Sequence, residues 1–357
     1  TPSGVQRAVR FAAAAASATL LAVPVSAEAP GAAVEGRRPR YARVDGDIEV
    51  VWQRPAGEPR GIFFIAHGCM HQGTDIFSEV GPDGWVFEAC RASNFGRCLG
   101  LPEEVRLRQA ARQRGYLAMA VSGGRGVQSC WDQRRDAARV AAAVQHVREL
   151  EALPQELPVL ATGASSGGAF MGRLAQPLAQ GGLPGLICIV PQIMGTNGVP
   201  NRGVPALYVH MPKDRRTAAA VEMDVDELRS EGTRAEQILV AALPVTAELL
   251  GRCLGGALAA EVVEALRQAN LLDGGGYLTR DARTRLWVDI IQQAIAGRSD
   301  DSLVADESCI AEVLNVAWAK HEFTSQYAEE MLDFCEGQGR YASDAATHKV
   351  SEGKGEL

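Results

Sequence analysis

A hydroxyl, a base and a place for developing negative charge are the minimum for attack on a carbonyl, and one short stretch supplies the first. Gly163-Ala164-Ser165-Ser166-Gly167 matches G-x-S-x-G, the pattern of a sharp strand-to-helix turn that lifts a serine above the end of a sheet. An apolar run over 158–162 leads into it and helical spacing follows from about Gly167, which is the context the pattern requires. The flanking small residues suit a turn that brings backbone against backbone. Ser165 is therefore the candidate nucleophile; the alternative is an ordinary turn serine.

Serine attacks a carbonyl near neutral pH only with a base beside it. The chain has six histidines. His67 and His71 precede the nucleophile, His146 falls inside a helix, His210 ends a strand ahead of any plausible acid, and His348 lies in a polar tail. His321 opens HEFTSQYAEEMLDF, where Tyr327, Met331, Leu332 and Phe334 recur as a core-facing helical stripe. That position ahead of a last core helix makes it the candidate base; the alternative is a histidine that merely flanks the helix.

A carboxylate must then hold the imidazole in one tautomer. Asp214, in ALYVHMPKDRRTA, follows a strand broken by Met211 and Pro212, whereas the loop after the 186–190 strand has no acid through Val204. Asp224 and Asp226 in the next helix are fallbacks, and a solvated or helix-capping acid is the other reading of Asp214.

Stabilising an oxyanion takes two N–H donors, one from the residue after the nucleophile and one from the loop after an earlier strand. The first falls to Ser166. The second falls to IAHGCMHQG, where Gly68 permits a close approach by the amide of Cys69 or Met70. A Cys69 thiolate nucleophile would lack a base beside it. His67 is a candidate substrate contact or a structural loop histidine. The loop SGGRGVQSCWD borders the expected pocket, with Trp131 as a candidate wall; otherwise it is a glycine-rich connector.

These pieces resemble the α/β-hydrolase superfamily: HGC as oxyanion loop, GASSG as nucleophile elbow, PKD bearing the acid and KHEFT bearing the base, in the order Ser165, Asp214, His321. The run AHGC…LPEE…SCWD…GASSGG is similar to that of uncharacterised plant and algal members. The resemblance covers about residues 41–337. It implies two-step acyl transfer on a small-molecule ester, with Ser165 attacking, His321 moving the proton, Asp214 orienting His321, and no metal or organic cofactor. A serine peptidase or thioesterase would use the same three residues, and a non-catalytic small-ligand receptor is the reading from another class. Two features depart from the pattern: no clear strand directly precedes His321, and a helical insert separates the last strand from it.

The elements that must position these residues follow from periodicity. Asp45-Gly46 between apolar runs over 41–44 and 48–52 predicts a hairpin. GIFFIA over 61–66 reads as a strand buried on both faces. Beyond it, a helix over 102–114, a strand over 116–121, a helix over 135–150 and strands over 158–162, 186–190, 206–209 and 237–242 alternate. That alternation predicts an α/β fold, a mostly parallel, doubly wound sheet. The core then spans 41–243, with 319–337 completing it. Residues 244–318 carry helical spacing, as over 260–270 and 283–296, and are expected to form a helical cap. The glycines at 274–276 follow a helix and read as a turn, not a phosphate cradle.

At 357 residues and 46% hydrophobic content the chain can bury a full core. A net charge of −7 argues against nucleic acid as a partner. No acid precedes Glu28, and Arg7 and Arg10 stand ahead of an apolar run over 11–25, the layout of a secretory signal over 1–27. A plastid transit peptide shares that composition; for a membrane anchor the run is too short. Residues 28–40 read as a linker and 338–357 as a polar tail. No second apolar stretch is long enough for a stable membrane span. The final Lys-Gly-Glu-Leu is similar to an ER-retrieval tail but has Gly at an acidic position. Eight cysteines fit an oxidising compartment. Cys90 and Cys98, in one polar loop, are the expected local bridge; reduced, buried cysteines are the alternative. Without a C-x-x-C pair, a zinc site fits poorly.

Overall fold

Eight strands form one sheet in the order β1-β2-β4-β3-β5-β6-β7-β8. They are β1 Arg40–Val44, β2 Ile48–Gln53, β3 Gly61–Ala66, β4 Tyr116–Val121, β5 Val159–Ala164, β6 Leu186–Gln192, β7 Ala206–His210 and β8 Ala235–Leu239. The β1–β2 and β2–β4 pairs are antiparallel and the other five are parallel. This computed structural model describes residues 38–337 except 82–83, 94–95, 125–127, 197–202, 300–302 and 306. The expected leader, most of the linker and the polar tail lie outside the described residues.

Side chains alternate between two cores because strand residues point to opposite faces. Ile62, Phe64 and Ala66 of β3 join one core and Phe63 and Ile65 the other. Helices α2 (Gln133–Leu150), α3 (Ser166–Leu174) and α4 (Arg215–Ser230) cover the first face. Helices α1 (Pro102–Gln113) and α8 (Ala328–Cys335) cover the second. The result is an α/β-hydrolase fold with a sheet buried on both sides.

Between β8 and α8, helices α5 (Gly256–Gln268), α6 (Val288–Ile295) and α7 (Cys309–Trp318) gather around a third apolar cluster drawn from residues 245–317. The chain leaves and rejoins the core at one point, where the Leu243 amide donates to the Ala317 carbonyl at 3.0 Å. The expected helix over 283–296 is interrupted. Arg285 takes φ 58°, so a short turn over Ala282–Thr284 ends before α6 begins. The expected strand over 237–242 begins and ends earlier, at Ala235 and Leu239, with alternate residues exposed as suits an edge.

All eight cysteines are bridged: Cys69–Cys130, Cys90–Cys98, Cys188–Cys335 and Cys253–Cys309. The local pair matches the expectation, and the alternative of reduced, buried thiols is set aside. Among the described residues, no helix is long and apolar enough to cross a membrane.

Candidate active site

The elbow is built by steric necessity. Ser165 sits between β5 and α3 with φ 50° and ψ −108°, a conformation few side chains tolerate. A Cβ on Gly163 would lie 2.5 Å from the Gly167 backbone, and one on Gly167 would lie 2.6 Å from the carbonyl oxygens of Ala66 and His67. Only glycine at both positions lets β5 turn into α3 against the end of β3. The Ser165 amide donates to the Gln192 carbonyl at 3.1 Å, pinning the elbow to the end of β6.

His321 reaches the elbow from a loop after α7, where Ala319 takes the left-handed φ of 56° and stops the helix. Its Nε2 lies 3.2 Å from Ser165 Oγ and its Nδ1 lies 2.5 Å from Asp214 Oδ2. With Asp214 accepting from Nδ1–H, Nε2 is left to accept the Ser165 proton. Asp214 also caps α4, accepting from the Thr217 amide at 3.2 Å and the Thr217 hydroxyl at 2.7 Å. The same carboxylate thus caps the helix and meets the His321 imidazole. Partial burial pushes the Asp214 carboxyl up, but the bonds from Thr217 and His321 outweigh it and hold the group below its ordinary range. The fallback Asp224 is elsewhere, accepting from the Thr196 amide and hydroxyl.

Gln192, which the sequence reading passed over, joins both halves. Its side chain is fully buried, and its Oε1 accepts from the Thr324 amide at 3.1 Å, three residues past His321. A polar residue ending an otherwise apolar strand was the available signal. The helical insert supports the base loop from outside: Lys320 pairs with Asp281 at 3.0 Å, and Arg283 donates to the His321 carbonyl and pairs with Glu322. Lys213, next to Asp214, packs 3.3 Å over the Trp318 ring.

The expected oxyanion donors divide. Ser166 is the first residue of α3, where an amide has no helical acceptor. Cys69 follows Gly68, whose Cβ position would be 3.8 Å from Ala164. The Met70 amide is instead bound to the Gln128 carbonyl at 2.6 Å, with Met70 at φ 68°, so Met70 is removed from the donor set. The Cys69–Cys130 bridge engages the Cys69 sulfur and rules out a thiolate there.

His67 and Trp131 are corrected from substrate contacts to scaffold. His67 is 1% exposed; its Nδ1 donates to the Gly68 carbonyl at 2.7 Å and its Nε2 accepts from the Gly123 amide at 3.0 Å. Burial pulls its imidazole down to about 4, so it stays neutral in this bonding pattern. Trp131 stacks on Phe170 at 4.5 Å and donates its indole N–H to the His67 carbonyl at 2.8 Å. A large apolar ring with one satisfied donor gains more from this core position than from a pocket wall. Together they fix the two loops that flank the elbow.

No family model and no curated protein matches the sequence. Solved structures with a similar fold include an esterase from Thermogutta terrifontis (13% identity, covering 60% of this chain and 84% of that one, TM-score 0.38). A second is an acylaminoacyl peptidase from Pyrococcus horikoshii (15% identity, 57% of this chain, TM-score 0.38), of whose length this chain spans 36%. A third is an esterase from Pyrobaculum calidifontis (12% identity, 57% and 76% of the two chains, TM-score 0.38).

Proposed function

We propose that the protein is a serine hydrolase of carboxylesterase type, acting on a small or medium ester through an acyl-enzyme. The observation that carries this is the hydrogen-bonded chain from Ser165 Oγ through His321 to Asp214 Oδ2, with distances of 3.2 and 2.5 Å, at a strained strand-to-helix turn.

In the reaction, Ser165 Oγ adds to the ester carbonyl as its proton passes to His321 Nε2. Asp214 stabilises the imidazolium that forms. The tetrahedral oxyanion is held by the Ser166 and Cys69 amides, each such donor contributing about 3 kcal/mol. Collapse breaks the bond to the alcohol, which leaves with the proton from His321. Water then adds to the acyl-enzyme with His321 again taking the proton, and the acid departs as Ser165 Oγ recovers it. We place the protein in an oxidising compartment, the secretory pathway or outside the cell; the four disulfides support this.

A fluorophosphonate probe tests the assignment. The adduct is expected on Ser165, absent in Ser165→Ala and formed far more slowly in His321→Ala. An adduct on another residue, or equal labelling of wild type and both variants, overturns it. Turnover of chromogenic esters ahead of acyl thioesters and aminoacyl amides supports the esterase assignment; the reverse order replaces it.

A further inference from the structure

A cavity of about 470 Å³ opens between the end of β2, helix α1 and the loop ahead of α1, lined in part by Gln53, Phe77, Val80, Trp85, Arg108 and Arg112. None of its lining residues belongs to the Ser165 site. Val105, Arg108 and Arg112 recur at helical spacing, so one stripe of α1 forms its wall.

Arg108 is the unusual member. It is 7% exposed, and its guanidinium lies 4.4 Å over the Phe77 ring while donating to the Gln53 side-chain carbonyl. Its Nε has no partner, and among the described residues no carboxylate pairs with it. The charged neighbour it does have is another cation, Arg112. Burial, with Arg112 adding to it, pulls the Arg108 guanidinium down to about 9. A guanidinium taken out of water ordinarily gains a carboxylate partner, because burying it alone is costly. Here Arg108 faces a cavity with an aromatic wall, and its missing counter-charge has a route in; Arg112, whose Nε donates to the Arg54 carbonyl at 2.9 Å, lines the same wall.

We propose that this cavity binds a small organic oxyanion, a carboxylate or phosphate head on an aromatic or branched apolar body. The head is held by Arg108 and Arg112, since a guanidinium offers parallel N–H donors matched to two oxygens. The body lies against Trp85, Phe77 and Val80. This site stands apart from the proposed hydrolase reaction and does not depend on it.

Titration of the full chain with benzoate, phenyl phosphate and neutral benzamide, followed by calorimetry and tryptophan fluorescence, tests the proposal. At least one of the two anions is expected to bind saturably, about tenfold or more tighter than benzamide. Stronger binding of phenyl phosphate assigns a phosphate head, and stronger binding of benzoate a carboxylate. Arg108→Met should weaken the anion about tenfold or more and leave the unliganded melting temperature equal to or above wild type, because an unpaired buried charge is gone. Trp85→Leu should weaken the anion without that gain, and Ser165→Ala should bind as wild type does. The proposal is overturned if neither anion saturates wild type in the millimolar range, if benzamide competes equally, or if Arg108→Met and Trp85→Leu keep full affinity. Loss of binding in Ser165→Ala also overturns it, since the anion would then occupy the other site.

Discussion

Replacing Gln192 with methionine isolates the joint between nucleophile and base. The change keeps the side-chain volume and the main-chain carbonyl that accepts from Ser165, and removes the Oε1 acceptor of the Thr324 amide. Thr324 is 1% exposed and Gln192 fully buried, so no water replaces the lost partner. An unsatisfied buried N–H costs about 1–3 kcal/mol, a fall of a few degrees in melting temperature for a chain of this size. The loop relieves that cost by moving, and His321 moves with it from its present 3.2 Å contact with Ser165. A displacement of about 1 Å at a reacting group lowers rates about 100-fold. The expectation is a kcat lower by roughly 10- to 100-fold with KM nearly unchanged, read by chromogenic ester hydrolysis, and a parallel slowing of fluorophosphonate labelling. A variant that melts lower but turns over and labels at the wild-type rate would refute the reasoning.

Three further outcomes follow from named contacts. Burial pushes the Glu104 carboxyl from its ordinary 4.5 up to about 8, so the folded chain keeps a proton that the unfolded chain releases. Stability therefore falls as pH rises from about 4.5 to about 8; Glu104→Gln should flatten that slope and melt higher than wild type at pH above 8, and parallel melting curves would contradict this. Removing the Cys69–Cys130 bridge with paired serine substitutions should cost about 2–4 kcal/mol of stability and lower kcat by up to about 100-fold through a loosened Cys69 amide, whereas an unchanged kcat would detach that loop from the reaction. Gly167→Ala sets a methyl 2.6 Å from two carbonyl oxygens, and should destabilise by about 1–3 kcal/mol and abolish labelling; a variant that melts and labels like wild type would show that the elbow tolerates a Cβ.

The parallel strands were legible because burial on both faces writes a continuous apolar run, as in GIFFIA and YLAMAV. Ser165, Asp214 and His321 were legible because each sits where an element ends and a loop exposes its side chain. Chain order then left few combinations to bring within bonding distance. What escaped was set by distance along the chain. Cys90 and Cys98 are eight residues apart and could be paired by inspection, while the other three bridges span 61, 147 and 56 residues. Gln192 and Thr324 are separated by 132 positions, and no local pattern announces their bond. Trp131 misled for a related reason: a tryptophan after a glycine-rich loop suits a pocket rim or a core equally, and Phe170, 39 positions on by number, decides for the core.

The meeting of Leu243 and Ala317 makes the helical insert a pendant on a narrow stem. Material hung from such a stem can lengthen or shrink between its two ends while the sheet below stays closed. The freedom is limited by tethers: Glu312 of α7 accepts from the Glu103 amide of α1 at 2.9 Å, and Trp318 lies under Lys213. Asp281 and Arg283 reach back from the pendant to Lys320, His321 and Glu322, so a graft that omits them inherits a sound scaffold with an unsteady base.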